Sequence, residues 1–224
     1  MAARQKQRAV TFAVLGLICM LGLCFEFVVI IFEQFVFDKT YYQFTITESI
    51  THWVLISVLW GLLGLVLFYV SSRVYGFDFS KKKQLPSKKK MIICFAAIIA
   101  AFSLKLAVYG GWKPYLDFIR SGWFQFIFEY IYNLFQAMII LIMAVFAQEA
   151  VERLLKSHKI KLAYIPWGGI VLGLSWGVIN TVTETNTAVS VCYILLSLLI
   201  GIGHIASNKN IYLSYILTVL ILLI

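Results

Sequence analysis

The segment Gln148-Glu149-Ala150-Val151-Glu152-Arg153 sets carboxylates, an amide and a guanidinium near the inner end of a run otherwise fit only for lipid. A carboxylate in such a place can serve as a general base if it takes up a proton near neutral pH. Ionisable side chains cost about 2.5–3.5 kcal/mol each to insert into a bilayer, so their presence points to function. The plain alternative is a helix that ends here, with Glu149 and Arg153 paired at i, i+4 and reaching for headgroups.

Other polar groups lie deeper. Glu26 and Glu33 are seven residues apart on the first apolar run, hence on one helical face. Lys105 falls on the third run and Glu129 on the fourth, with Asn133 and Gln136 on nearby turns. Glu26, Lys105 and Glu129 are expected to form an intramembrane charge cluster. Lys105 should pair with Glu26 or Glu129, because an unpaired lysine at that depth would be neutralised or expelled. A structural ion pair is favoured there over a proton or substrate path. Gly169, Gly173 and Gly177 form a small-residue stripe that permits close helix contact, and a regular helix puts Asn180 on the same face. His204, four residues before Asn208, ends the sixth run, while His52 and His158 read as interfacial residues at membrane edges. The cysteines (Cys19, Cys24, Cys94, Cys192) sit singly in apolar runs and read as packing residues. No metal site and no cofactor is expected.

These side chains must be positioned by membrane helices. Hydrophobic residues make up 62% of the 224 and charged residues only 13%, which places the chain in the membrane class. The spacing predicts an all-α, polytopic membrane helix bundle of about seven transmembrane helices, at 9–37, 52–75, 91–110, 121–155, 166–182, 187–206 and 210–224. The fourth run is too long for the hydrocarbon core and must tilt, kink or project. The last is either short or continues past Ile224. The net charge of +9 does not mark a nucleic-acid binder, because the cations segregate by loop. Arg4, Lys6, Arg8, the lysines at 81–83 and 88–90, and Arg153, Lys156, Lys159 and Lys161 lie on one side. Lys39, Lys113 and Arg120, balanced by Asp38, Glu48, Asp117 and Glu184, lie on the other, which puts the N-terminus in the cytoplasm. The whole chain, 1–224, reads as one transmembrane domain.

In order and spacing, residues 121–224 resemble the CAAX-protease and bacteriocin-processing (CPBP, or Abi) family of intramembrane proteins. That family carries E-E-x-x-x-R on one helix, F-x-x-x-H on the next, and a further His followed by Asn on the last. Gln148-Glu149-x-x-x-Arg153 stands for the first motif and Trp176-Gly177-Val178-Ile179-Asn180 for the second. Thr218 takes the place of the final histidine and Leu222 that of the asparagine. The resemblance implies a bacterial plasma membrane and, in catalytic members, a water activated by glutamates and histidines. Here Gln148, Asn180 and Thr218 cannot take up the proton, leaving Glu149 beside Arg153, and His204 as a substitute base if the sixth helix brings it close.

Those departures favour a non-catalytic membrane protein that binds or scaffolds another membrane or cell-envelope protein, with the aromatic outer half of the fourth run as a contact surface. The alternative is an intramembrane endopeptidase using Glu149. A third possibility is a small substrate-binding transport subunit with a polar pocket near Glu26, Lys105 and Glu129. The lipid bilayer is the partner common to all three.

Overall fold

The computed structural model describes residues 2–77, 79, 85–157, 164–183 and 186–224. Lys81, Lys82, Lys83, His158, Lys159, Lys161 and Glu184 lie outside them. Among the described residues the chain is all helical, with eight α-helices: α1 Ala2–Phe37, α2 Ile46–Tyr69, α3 Lys88–Tyr109, α4 Lys113–Ser157, α5 Trp167–Leu172, α6 Val178–Thr183, α7 Thr187–Ala206 and α8 Ile211–Leu223. Five stretches are long and apolar enough to cross a membrane: Lys6–Phe37, Ile46–Val74, Lys88–Tyr109, Lys113–Lys156 and Thr187–Ala206. The crossings expected at 166–182 and 210–224 fall short of span length. The first is α5 and α6 joined by a π-helical segment, Gly173–Gly177, and the second is the 13-residue α8.

Local chemistry sets the helix ends. The Thr45 hydroxyl accepts from the Glu48 N–H while the Glu48 carboxylate accepts from the Thr45 N–H at 2.6 Å, a reciprocal cap that starts α2. The Asn210 side chain accepts from the N–H groups of Tyr212 and Leu213 and starts α8. Gly122, with φ 70° and ψ 167°, breaks α4 near its N-terminal end, a conformation that an L side chain rarely adopts. The expected kink in the long fourth run is therefore a glycine break, which sets residues 113–121 apart from the long inner segment.

That inner segment is the axis of the bundle. Side chains from Ile139 to Ala147 are all buried, so α4 is apolar all round because neighbours cover every face. It packs against α1, α2, α5 and α8, while α3 packs chiefly on α7 and α8. Bulky side chains such as Leu21, Phe32 and Leu65 leave apolar faces of α1 and α2 exposed. Phe77 and Phe79, beyond α2, pack with Phe12 and Phe146 at ring separations of 5.0–6.4 Å and plug the inner end of the bundle.

Glycines allow the closest approaches. A Cβ on Gly168 would lie 2.2 Å from the Ala144 carbonyl oxygen, and one on Gly201 would lie 2.6 Å from the Gly169 Cα. Thus α5 rests backbone to backbone on both α4 and α7. The stripe of Gly169, Gly173 and Gly177 does face α7, against Ser197, Gly201 and Ile194. Asn180 does not share that face. The π segment inserts an extra residue, which rotates α6 by about 100° relative to a regular helix and turns Asn180 toward α1 and α4.

Candidate functional site

Two polar clusters are built inside this bundle along the part of α4 after Gly122, named inner for the one toward Ser157 and outer for the one toward Gly122. The inner one begins at Gln148, only 1% exposed. Its Oε1 accepts from the Gly168 N–H at 2.8 Å, and its Nε2 donates to the Ile165 carbonyl at 3.1 Å and to Glu152 at 2.7 Å. A single amide therefore holds the start of α5, whose first N–H groups have no partner within the helix. Glu152, itself buried, receives Lys209 Nζ at 2.5 and 2.6 Å. Arg153 donates to one oxygen of Glu149 through Nε at 3.2 Å and through the terminal nitrogen at 3.0 Å, and stacks over the Phe12 ring at 4.7 Å. Lys209 also lies 3.8 Å from the other Glu149 oxygen.

Lys209 comes from the tight turn between α7 and α8. Asn208 and Lys209 both have φ 58°, a left-handed conformation that asparagine tolerates and that costs lysine roughly 1–2 kcal/mol. The turn is fastened on two sides: Lys209 to α4, and Asn208 to Lys90 of α3 at 2.5 Å. Two carboxylates face two cations, so the cluster is neutral. The groups that approach Glu149 are both permanent donors, and a carboxylate so engaged is poorly placed to orient and deprotonate a water.

The motif residues are not gathered around Glu149. Asn180 donates to the Trp176 carbonyl at 2.7 Å and shares a cavity with Gln136, which is thirteen residues, or about 20 Å, up α4 from Glu149. His204 Nδ1 meets the Ser214 hydroxyl at 2.8 Å, Ser207 and Ser214 are in mutual contact at 2.8 Å, and Thr218 donates to the Ser214 carbonyl at 2.8 Å. His204, Ser207 and Ser214, all buried, staple the α7–α8 hairpin, while the Thr218 bond stays within α8. Trp176 lies in the π segment and packs edge-on against Tyr193.

The outer cluster joins α1, α2 and α4. His52 is 0% exposed, with Nδ1 at 2.6 Å from Glu33 and Nε2 at 3.5 Å from Glu26. Tyr132 donates to the same Glu26 oxygen at 2.5 Å, and the Tyr41 ring covers the imidazole edge-on at 5.5 Å. The expectation that His52 is an interfacial residue is therefore corrected. It lies almost two turns into α2, on the face turned to α1. Both ring nitrogens face carboxylates, and an imidazole serves both as donor only when it is charged.

The expected cluster of Glu26, Lys105 and Glu129 is not formed either. Lys105 is buried and donates to the Leu222 carbonyl. Because α3 lies against α7 and α8, its lysine caps the C-terminal end of α8, where helix carbonyls lack partners and the dipole is negative. Glu129 faces Arg120 at 3.5 Å, in a separate group where Asp117 also meets Lys113, Arg120 and Tyr130. Among the described residues no three or more His, Cys, Asp or Glu side chains are arranged to hold a metal.

Sequence reasoning names Glu152 without its partners and misses Lys209 and Gly168. Glu152 stands at i+4 from Gln148, so its place in the cluster is readable, whereas Lys209 stands in an ordinary polar turn and gives no signal. Compared with models of known families, with curated proteins and with solved structures, the chain gives no match, so its site is interpreted from geometry alone.

Proposed function

We propose that this chain is a non-catalytic integral membrane bundle that binds or scaffolds another membrane or cell-envelope protein, with its N-terminus in the cytoplasm and α5–α6 and α8 completing about seven crossings. Its inner motif resembles that of the CPBP/Abi proteins in order while serving as a structural clamp. One observation carries this proposal: Gln148, Glu149, Glu152, Arg153 and Lys209 satisfy one another and bind α5 and the α7–α8 turn to α4. The general-base alternative needs Glu149 beside a proton-accepting partner, and the CPBP-type position Asn180 is far up the bundle.

The contact surface is narrower than the aromatic run suggests. Trp123 and Phe124 are 65% and 50% exposed, whereas Tyr132 is committed to Glu26 and Phe126 stacks on Tyr130. A photoreactive amino acid at position 124, compared with one at lipid-facing Leu65, tests the surface in cells. A discrete protein adduct from position 124 alone is expected, and it should persist in Glu149→Gln. Adducts of equal yield from both positions, or their loss in Glu149→Gln, would overturn the proposal.

A further inference from the structure

The outer cluster borders a cavity of about 50 Å³ that a scaffold does not require. Glu26 of α1, Gln136 of α4 and Asn180 of α6 supply its polar lining, with Trp176 and Phe27 among its apolar walls. One water needs about 10–15 Å³ of such space, so the cavity suits a few water-sized species. Tyr132, at 2.5 Å, fixes the Glu26 carboxylate from one side. Asn180 donates its amide nitrogen to the Trp176 carbonyl at 2.7 Å, which holds its side chain on the cavity wall. The π segment Gly173–Gly177 is what rotates Asn180 to this wall, and such segments are frequent at functional sites.

Charge supplies an independent observation. Glu26 and Glu33 face one imidazole, and among the described residues no lysine or arginine lies within ion-pair distance of either. Even with His52 charged, the group keeps one net negative charge within membrane helices, where an uncompensated charge is costly. We propose that the cavity binds one small monovalent cation, hydronium or sodium, on oxygens of Glu26 and Gln136, with Asn180 on the same wall. Carboxylate and amide oxygens suit hard cations. The titratable groups around Glu26 are Glu33 and Cys24 of α1, His52 of α2, Tyr41 of the connecting turn and Tyr132 of α4; Glu129 lies near Tyr41 and Tyr193 of α7 near Tyr132.

The test is thermal unfolding of the full chain in detergent, with NaCl replacing choline chloride at constant ionic strength and pH 8, and with a sodium-free pH series from 8 to 6. Binding to the folded state alone raises Tm by roughly 3–6 °C at ten times the dissociation constant. A saturable sodium shift identifies sodium as the occupant. A rise on acidification without sodium identifies hydronium where Gln136→Leu abolishes it, because His52 between two carboxylates takes up a proton of its own and keeps its response in that variant. Either shift should vanish in Gln136→Leu and in Glu26→Gln, and the first serves alone if the second does not fold. A wild-type Tm indifferent to both sodium and pH overturns the proposal, as does a shift of unchanged size in Gln136→Leu.

Discussion

Replacing Gln148 by glutamate puts a further carboxylate into the clamp seen here. The wild-type amide donates to Glu152 at 2.7 Å and to the Ile165 carbonyl at 3.1 Å, and accepts from the Gly168 N–H at 2.8 Å. Gln148→Glu keeps only the last of these. It deprives a buried carboxylate and a buried carbonyl of a donor, and brings two carboxylates to hydrogen-bonding distance. A hydrogen bond to a charged group contributes about 1.5–3 kcal/mol, and an orphaned buried acceptor costs about 1–3 kcal/mol. A loss of about 3 kcal/mol is expected, or roughly 6–12 °C in Tm for a chain of this size. The deficit should shrink at low pH, because protonating one of the facing carboxyls restores a donor between them. Thermal unfolding of the detergent-solubilised protein at pH 8 and pH 5 provides the assay. A Tm equal to or above wild type at pH 8, or newly acquired peptide-bond cleavage of a co-expressed membrane protein, would refute the reasoning.

Single contacts elsewhere in the bundle are testable in the same way. Gly168→Ala puts a Cβ 2.2 Å from a backbone oxygen of α4 and should cost about 3 kcal/mol or more, whereas Gly16→Ala meets its nearest atom at an ordinary 3.8 Å and should leave Tm unchanged or raised. Lys105→Leu removes a buried ammonium and its hydrogen bond to the Leu222 carbonyl; relief of the desolvation of the charge offsets the lost bond, so stability should change by less than about 1 kcal/mol, and a loss of about 3–5 kcal/mol would show that the cap outweighs it. Burial, reinforced by Glu26, pushes the Tyr41 phenol up to about 12. Its unfolded form ionises near pH 10, so the folded state binds the proton longer and stability falls between pH 10 and pH 12. Tyr41→Phe should flatten that part of the pH–stability curve, measured by unfolding at each pH.

The membrane class, the α-helical architecture and the paired Glu149 and Arg153 are legible in the sequence because they rest on composition, run length and i, i+4 spacing. Those signals are local. A regular 3.6-residue period misplaces Asn180, because the π segment Gly173–Gly177 breaks that period. Depth in the membrane misassigns Lys105, because it does not reveal that α3 lies beside α8. His52 looks interfacial if α2 starts at residue 52, whereas the Thr45–Glu48 cap starts it at Ile46. For Lys105 the missing information is helix adjacency; for the other two it is the local helix geometry that fixes phase and start. The Lys209–Glu152 pair joins residues 57 apart in the chain, and nothing in either local sequence identifies its partner.

The central claim is that the inner polar cluster holds the bundle together. A double-mutant cycle of Glu152→Gln and Lys209→Met, read by thermal unfolding, measures it most directly. The account predicts that each single change destabilises and that the pair is coupled by about 1–3 kcal/mol. Losses that simply add, to within about 0.5 kcal/mol, would show that α4 and the α7–α8 turn are not joined by this ion pair and would contradict the account.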